Sequence, residues 1–369
     1  MRHTRALIVG GGPAGAAAAI TLARAGAPHL LVERTRETAD ALCGGFLSWR
    51  TLAALERLGI DADALGASSV TRVRLFAGGR QAEARLPHPA GAVSRRRLDR
   101  LMLAQARACG AAIECGVAVR TLDGAAITGD GATITHDALF LASGKHDVRG
   151  LARPVAARGT DPAIGLRVRL PAAPALERLV GDAVELHLFD RGYAGVVRQE
   201  DGSVNLCLAV RRSRLREAGD PGRLLRLLGD GAAALGERLG WLGDEPIDAI
   251  ANVPYGWRVA AGRAGLFRLG DQAGVIPSLA GEGVGIAVGS GVSAANACLR
   301  DGTDGAARWQ ARFRDGLRRP IGVAGVVRGL AERRGVAAPL VALTAAAPAL
   351  IALVARATRL PEEHGIHGM

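Results

Sequence analysis

The stretch RALIVGGGPAGAAAAITLARAGAPHLLVER, residues 5–34, constrains this chain more than any other. An apolar strand at residues 6–9 runs into a glycine-rich turn, then a helix of small residues ending at Gly26, then a second apolar strand closed by Glu33. Gly10 permits the tight turn, Gly12 lets the backbone approach a pyrophosphate, and Gly15 lets helix and strand pack closely. Pro13 and Ala14 open a helix whose N–H groups and positive dipole end attract an anion. Glu33 falls 18 residues after Gly15, where a carboxylate can accept hydrogen bonds from the hydroxyls of an adenosine ribose. Strand, turn, helix, strand and acid in this register predict a dinucleotide-binding unit.

That reading decides two ambiguous signals. Arg2 and Arg5 before an apolar run imitate a secretory leader, but the run is the nucleotide strand and helix, so it is expected to stay. The formal net charge of +12 would ordinarily raise nucleic acid as a partner. Here Lys145 is the only lysine, the arginines are spread through an Ala- and Gly-rich chain, and an anionic cofactor takes up part of the charge, so no nucleic-acid partner is expected. Five cysteines without CxxC spacing argue against a disulfide framework and a zinc site, and favour a reducing, cytoplasmic setting.

Beyond Glu33, Cys43, Gly44 and Gly45 precede an expected helix at residues 49–58, where free backbone N–H groups can lie against a planar ring. Residues 69–76 and 81–86 alternate around Gly78-Gly79 and predict a hairpin; Arg95, Arg96 and Arg97 then open a helix, opposing its dipole, so at least one of them is expected to have an anionic or ribityl partner. Strands are expected at 113–119 and 139–142, with a hairpin at 126–135 between them. From about residue 150 the pattern becomes that of an antiparallel sheet, with strands at 164–170, 184–189, 193–197 and 204–210. The chain returns at 265–285, where a short strand delivers Asp271 and Gly281, Gly283 and Val284 start a second glycine-rich helix. The tail, residues 337–355, is uncharged and apolar between Arg333-Arg334 and Arg356; Pro339 and Pro348 interrupt it, so two short helices are expected, with interfacial membrane contact as the alternative.

Assembled, these residues resemble the para-hydroxybenzoate-hydroxylase superfamily of flavoproteins, in its geranylgeranyl-reductase-like branch. The points of likeness are VGGGPAG with Glu33, Cys43-Gly44-Gly45, Arg95 four residues before Asp99, Gly270-Asp271 with Pro277, Gly281-Glu282-Gly283, and Gly192-Tyr193 before Val204-Asn205. The resemblance implies an α/β fold: a Rossmann-like FAD-binding domain (1–68, 90–150, 260–330), an inserted antiparallel substrate domain (69–89, 151–259) and a C-terminal helical segment (331–369). It implies that FAD is held by Gly10, Gly12, Pro13, Ala14, Gly15, Glu33, Arg34, Cys43, Gly44, Gly45, Arg95, Asp271, Gly281, Gly283 and Val284, with Val119 as a backbone contact to adenine. NAD(P)H or another reductant, such as a donor protein, would reduce it transiently.

Two stretches depart from the family. Hydroxylases carry an Asp-Gly pair before Ser-x-x-Arg, where this chain has Ser143-Gly144 and Asp147-x-Arg149; prenyl reductases carry Tyr-x-Trp-x-Phe-Pro, where it has Tyr193-Ala194-Gly195-Val196-Val197-Arg198. The resemblance therefore implies an FAD-dependent oxidoreductase and leaves the reaction open. Monooxygenase-like hydroxylation of an apolar or aromatic small molecule is the first expectation, reduction of a carbon–carbon double bond the second, and a non-catalytic flavin protein at a membrane surface the third. Tyr193, Tyr255 and Trp257 are candidate pocket walls, His187 reads as a satisfied sheet residue, and Cys43 is the weak candidate for catalysis at the flavin face.

Overall fold

The computed structural model describes residues 1–361; residues 362–369, the end of the expected C-terminal segment, lie outside the described residues. The opening stretch forms β1 (Arg2–Val9), α1 (Pro13–Arg24) and β2 (His29–Glu33). Then come β3 (Phe46–Leu47), α2 (Trp49–Arg57), α3 (Ala62–Leu65), the hairpin β4 (Ser68–Ala77) and β5 (Arg80–Ala92), and α4 (Arg95–Ala108). Next are β6 (Ala112–Cys115), β7 (Val119–Asp123), β8 (Ala125–Thr128) and β9 (Thr133–Leu141). The middle of the chain supplies β10 (Ala163–Leu170), α5 (Pro174–Val180), β11 (Ala183–Phe189), β12 (Gly192–Arg198), β13 (Val204–Arg211), α6 (Arg212–Ala218), α7 (Pro221–Gly231), α8 (Ala233–Leu239) and β14 (Asp248–Val253). The return is β15 (Leu266–Arg268) and α9 (Gly283–Asp301), followed by α10 (Gly305–Gly316), α11 (Arg318–Ala331), α12 (Ala337–Ala346) and α13 (Ala349–Ala357).

The first sheet runs β6-β2-β1-β9-β8-β7, with β15 also paired to β9. Its β1, β2, β6, β9 and β15 pairings are parallel, as expected of strands buried beneath helices. Small residues set its thickness. A Cβ at Gly15 would lie 1.9 Å from the Gly10 carbonyl oxygen, and one at Gly291 on α9 would lie 2.2 Å from the Ala14 carbonyl oxygen, so α1 fits between strand and helix only because these side chains are missing. Gly10 itself has φ +109°, which a side chain rarely adopts.

The second sheet runs β14-β10-β13-β12-β11-β4-β5-β3. It is antiparallel except where β11 joins β4 in parallel, which brings the early hairpin into the same sheet as the later strands. One of its faces buries Leu166, Val168, Leu206 and Val210 beneath α5 and the helices α6–α8, which contribute Leu176, Leu224 and Leu228. The outer face of the β4–β5 hairpin is covered by α12 and α13 through Val341 and Ile351.

Three local expectations are corrected. Residues 113–119 are two strands, because Gly116 turns the chain at φ +83° between β6 and β7. The buried strand expected at 139–142 is the end of β9, which pairs antiparallel with β8 and then parallel with β1. Pro339 does not interrupt the tail: it sits in the first turn of α12, where its missing N–H costs nothing, and the break falls at Pro348.

Candidate active site

One cavity of about 730 Å³ joins the two sheets. It is lined by the glycine turn, Glu33, Arg34, Val119 and the 143–148 loop, by Cys43, Gly44, Gly45, Arg95 and Asp271, and by Gly281, Gly283, Val284 and residues of the second sheet. Of the residues expected around FAD, Gly15 alone is absent from the lining, since it is pressed against Gly10.

The donor set suits an elongated dinucleotide. Both helices that begin at the cavity, α1 after Gly12 and α9 after Glu282, lack a side-chain cap, so their first-turn N–H groups are free for an anion or a carbonyl-bearing ring. Glu33 Oε2 accepts from Gly11 N–H at 2.7 Å, and Oε1 accepts from the Thr35 N–H at 3.0 Å and Oγ1 at 2.9 Å. The carboxylate is therefore fixed at the turn with little acceptor capacity to spare. Arg34 donates to His146 Nε2 at 3.0 Å, and burial followed by the Arg34 charge lowers the His146 pKa, consistent with a neutral ring.

Arg95 is held across one helical turn by Asp99, Nε to Oδ1 at 2.8 Å and Nη2 to Oδ2 at 2.7 Å. Burial opposes its charge, but Asp99 overcomes that and raises the guanidinium pKa. A Cβ on Gly12 would meet Arg95 Nη2 at 3.3 Å, so a fixed cation stands beside the glycine turn. Of the three arginines at this helix start, Arg95 thus has the anionic partner, while Arg97 donates to the carbonyls of Leu65 and Ala64 at the end of α3. Asp271 faces Lys145 Nζ at 3.4 Å.

The ring-side loop is tied to the second sheet. Asn205 on β13 donates its amide to the carbonyls of Cys43 at 3.0 Å and Gly44 at 2.9 Å. Cys207, two residues on and so on the same face of β13, also lines the cavity, and burial pushes its thiol up to about 12. Cys43 Sγ accepts from Gly45 N–H at 3.5 Å.

Of the three aromatic candidates, Tyr255 lines the cavity. Tyr193 is buried behind it, and Trp257 is stacked under Arg153, whose Cζ lies 5.7 Å from the ring centroid. Tyr255 and Tyr193 nevertheless act on one atom: their hydroxyls meet Ser278 Oγ at 2.9 and 2.6 Å, and the Tyr193 oxygen accepts from Leu279 N–H at 3.1 Å. Burial, partly offset by Ser278, pushes the Tyr255 phenol up to about 12. Around it the wall is aliphatic, with Ile250, Val253, Val275 and Ile276.

His187 lies on β11, as expected of a sheet residue, and its Nε2 meets Glu185 Oε2 at 3.1 Å while its ring stacks on Phe76 with centroids 4.5 Å apart, but it is satisfied only in part, because its buried Nδ1 has no hydrogen-bond partner. Sequence reasoning missed Ser278, Cys207 and Lys145. Ser278 follows Pro277 inside a motif already noticed, and Lys145 is the chain's single lysine; Cys207 carries no local signal. Among the described residues no group of His, Cys, Asp or Glu is arranged to hold a metal ion.

Comparison with known proteins agrees with this geometry. The FAD binding domain family matches residues 3–149. A menaquinone reductase of Mycolicibacterium smegmatis is 28% identical over 350 residues, spanning 87% of this chain and 83% of its own length. Among solved structures, PqsL of P. aeruginosa in complex with 2-aminobenzoylacetate superposes with a TM-score of 0.72 at 18% identity, over 92% of this chain and 99% of that one. A geranylgeranyl bacteriochlorophyll reductase-like protein of Thermoplasma acidophilum also gives 0.72, at 19% identity, over 99% and 95%.

Proposed function

We propose that this chain, which carries a match to the FAD binding domain family and shares its fold with flavin-dependent enzymes, is an FAD-dependent oxidoreductase that saturates a carbon–carbon double bond in an apolar, isoprenoid-type substrate. The observation that carries this reading is the wall of the cavity formed by Ile250, Val253, Val275 and Ile276, interrupted by the protonated phenol of Tyr255. The similarity to a menaquinone reductase over most of both chains supports it, menaquinone being a prenylated quinone.

FAD would be held at its ribose by Glu33, at its pyrophosphate by the start of α1 beside Arg95, at its ribityl chain by Asp271, and at its pyrimidine edge by Gly283 and Val284. Bound there in its reduced form, flavin supplies a hydride. Saturation also needs a proton, and Tyr255 would deliver it: with Leu279 N–H donating to the Tyr193 oxygen, Tyr193 would donate to Ser278 and Ser278 to Tyr255 across the two hydroxyl contacts, leaving the Tyr255 proton for the substrate. The aliphatic residues bind the substrate by excluding water and offer it no competing hydrogen bond.

Hydroxylation, the first expectation from the sequence, is the competing reading, and it differs in needing oxygen. The test is a single turnover without oxygen, mixing the FAD-loaded, dithionite-reduced protein with a polyprenylated quinone and weighing the product. A gain of two hydrogens that survives re-exposure to air supports chain saturation. A product that reverts in air marks mere reduction of the quinone ring, and a product made only in air and heavier by one oxygen marks hydroxylation; either outcome overturns the proposal.

A further inference from the structure

The C-terminal helices carry an inverted surface. From Gly335 to Ala355 the one hydrogen-bonding side chain is Thr344; it is buried, and its Oγ1 returns to the Val341 carbonyl at 2.9 Å. The positions facing outward are apolar: Pro339, Leu343 and Ala346 form a stripe on α12, and Ala349 and Leu353 continue it on α13. Leu343 is 55% and Leu353 61% exposed. The opposite sides of the same helices, Val341 and Ile351, are already used against the β4–β5 hairpin. A helix on a water-facing surface normally has one apolar face, whereas these have two.

Along the chain the stripe is bounded by cations: Arg333, Arg334 and Arg356 are exposed at its two ends, and residues 333–360 contain no carboxylate. Glu332 itself is buried and engaged by Arg328 and Arg211. The helices have 10 and 9 residues and meet at a bend of 110°, so neither can cross the roughly 30 Å of a hydrocarbon core. Lying flat, they can sink Leu343 and Leu353 into the boundary between headgroups and acyl chains while the arginines meet headgroup phosphates. A twofold contact between two copies through the same face would bring both sets of these arginines together, with no carboxylate of residues 333–360 to answer them.

We propose that α12 and α13 form a docking face for an anionic lipid bilayer. This rests on the surface alone and does not depend on the reaction assigned above. The test is co-sedimentation of the FAD-loaded full chain with vesicles of phosphatidylcholine, alone or mixed with phosphatidylglycerol. Binding is expected to the mixed vesicles, to weaken in high salt, and to fall by about tenfold or more in L343E/L353E, while FAD content and circular dichroism should stay unchanged, since both side chains are more than half exposed and neither lines the cavity. R333E/R334E, at two exposed positions outside the apolar stripe, should weaken binding through charge. Wild-type protein that stays in the supernatant with both vesicle types overturns the proposal. So does a concentration-dependent dimer in lipid-free sedimentation that L343E/L353E abolishes, since the face would then belong to a second copy.

Discussion

Arg359, at the end of the C-terminal helices, donates to the buried carboxylate of Glu282, in the loop that leads into α9. The arginine is 5% and the glutamate 1% exposed. The same guanidinium donates to the carbonyls of Ala280 at 3.0 Å and Gly281 at 3.2 Å, and Ser48 Oγ supplies a second donor to the carboxylate at 3.0 Å. The loop beside the expected flavin ring is thus held from outside its own domain.

Removing one partner strands the other charge in the interior. Arg359→Ala should cost about 3–5 kcal/mol in urea unfolding and speed FAD release. Arg359→Met with Glu282→Gln, which leaves no buried charge, should recover most of that loss. Equal instability of the single and double variants would mean that packing, not charge, fixes the loop.

Glu33 already accepts three hydrogen bonds from Gly11 and Thr35, so a carboxylate with about four acceptor sites has room for roughly one from a ribose hydroxyl. Glu33→Gln should weaken FAD by about 1.5–3 kcal/mol, read as one to two orders of magnitude in Kd by titration calorimetry. Unaltered affinity would remove Glu33 from the ribose.

For Tyr255→Phe, single-turnover oxidation of the reduced flavin by substrate should slow by about 100-fold with little change in KM and a changed solvent isotope effect. Reduction of the flavin by dithionite should be untouched, because the phenol takes no part in that step. Ser278→Ala, which cuts the chain behind Tyr255, should produce a smaller loss with the same signature. A rate unchanged in both variants would leave Tyr255 as wall only.

Burial lowers the pKa of His29, His136, His146 and His187 below the ordinary 6.5. Neutral in the fold, these rings take up protons more readily when unfolded, so stability is full above the unfolded value and falls as pH drops below about 6.5. Tm should therefore decline from pH 7.5 to 5.5, before the paired carboxylates titrate. A flat Tm over this interval would contradict the lowered values.

Legibility from the sequence followed the range of the interaction. The glycine turn, the Gly78-Gly79 hairpin and the break at Pro348 are each determined by residues within one turn of chain, and each was readable. The Gly116 turn was missed because apolar residues continue on both sides of it and periodicity alone favours one strand. Which of Tyr193, Tyr255 and Trp257 would reach the cavity depends on how two sheets face each other. The Arg359–Glu282 pair joins residues 77 apart, and no local pattern announces such a partner.

Asn205 belongs to the sheet that walls the substrate end, yet its amide holds the carbonyls of Cys43 and Gly44. Sliding β13 by one residue against its neighbours would turn position 205 to the opposite face and release that loop. Replacing a lining side chain such as Ile250 or Val253 changes the cavity wall and leaves this tie alone, whereas any change that shifts the pairing of β13 alters the wall and the Cys43–Gly44 loop together.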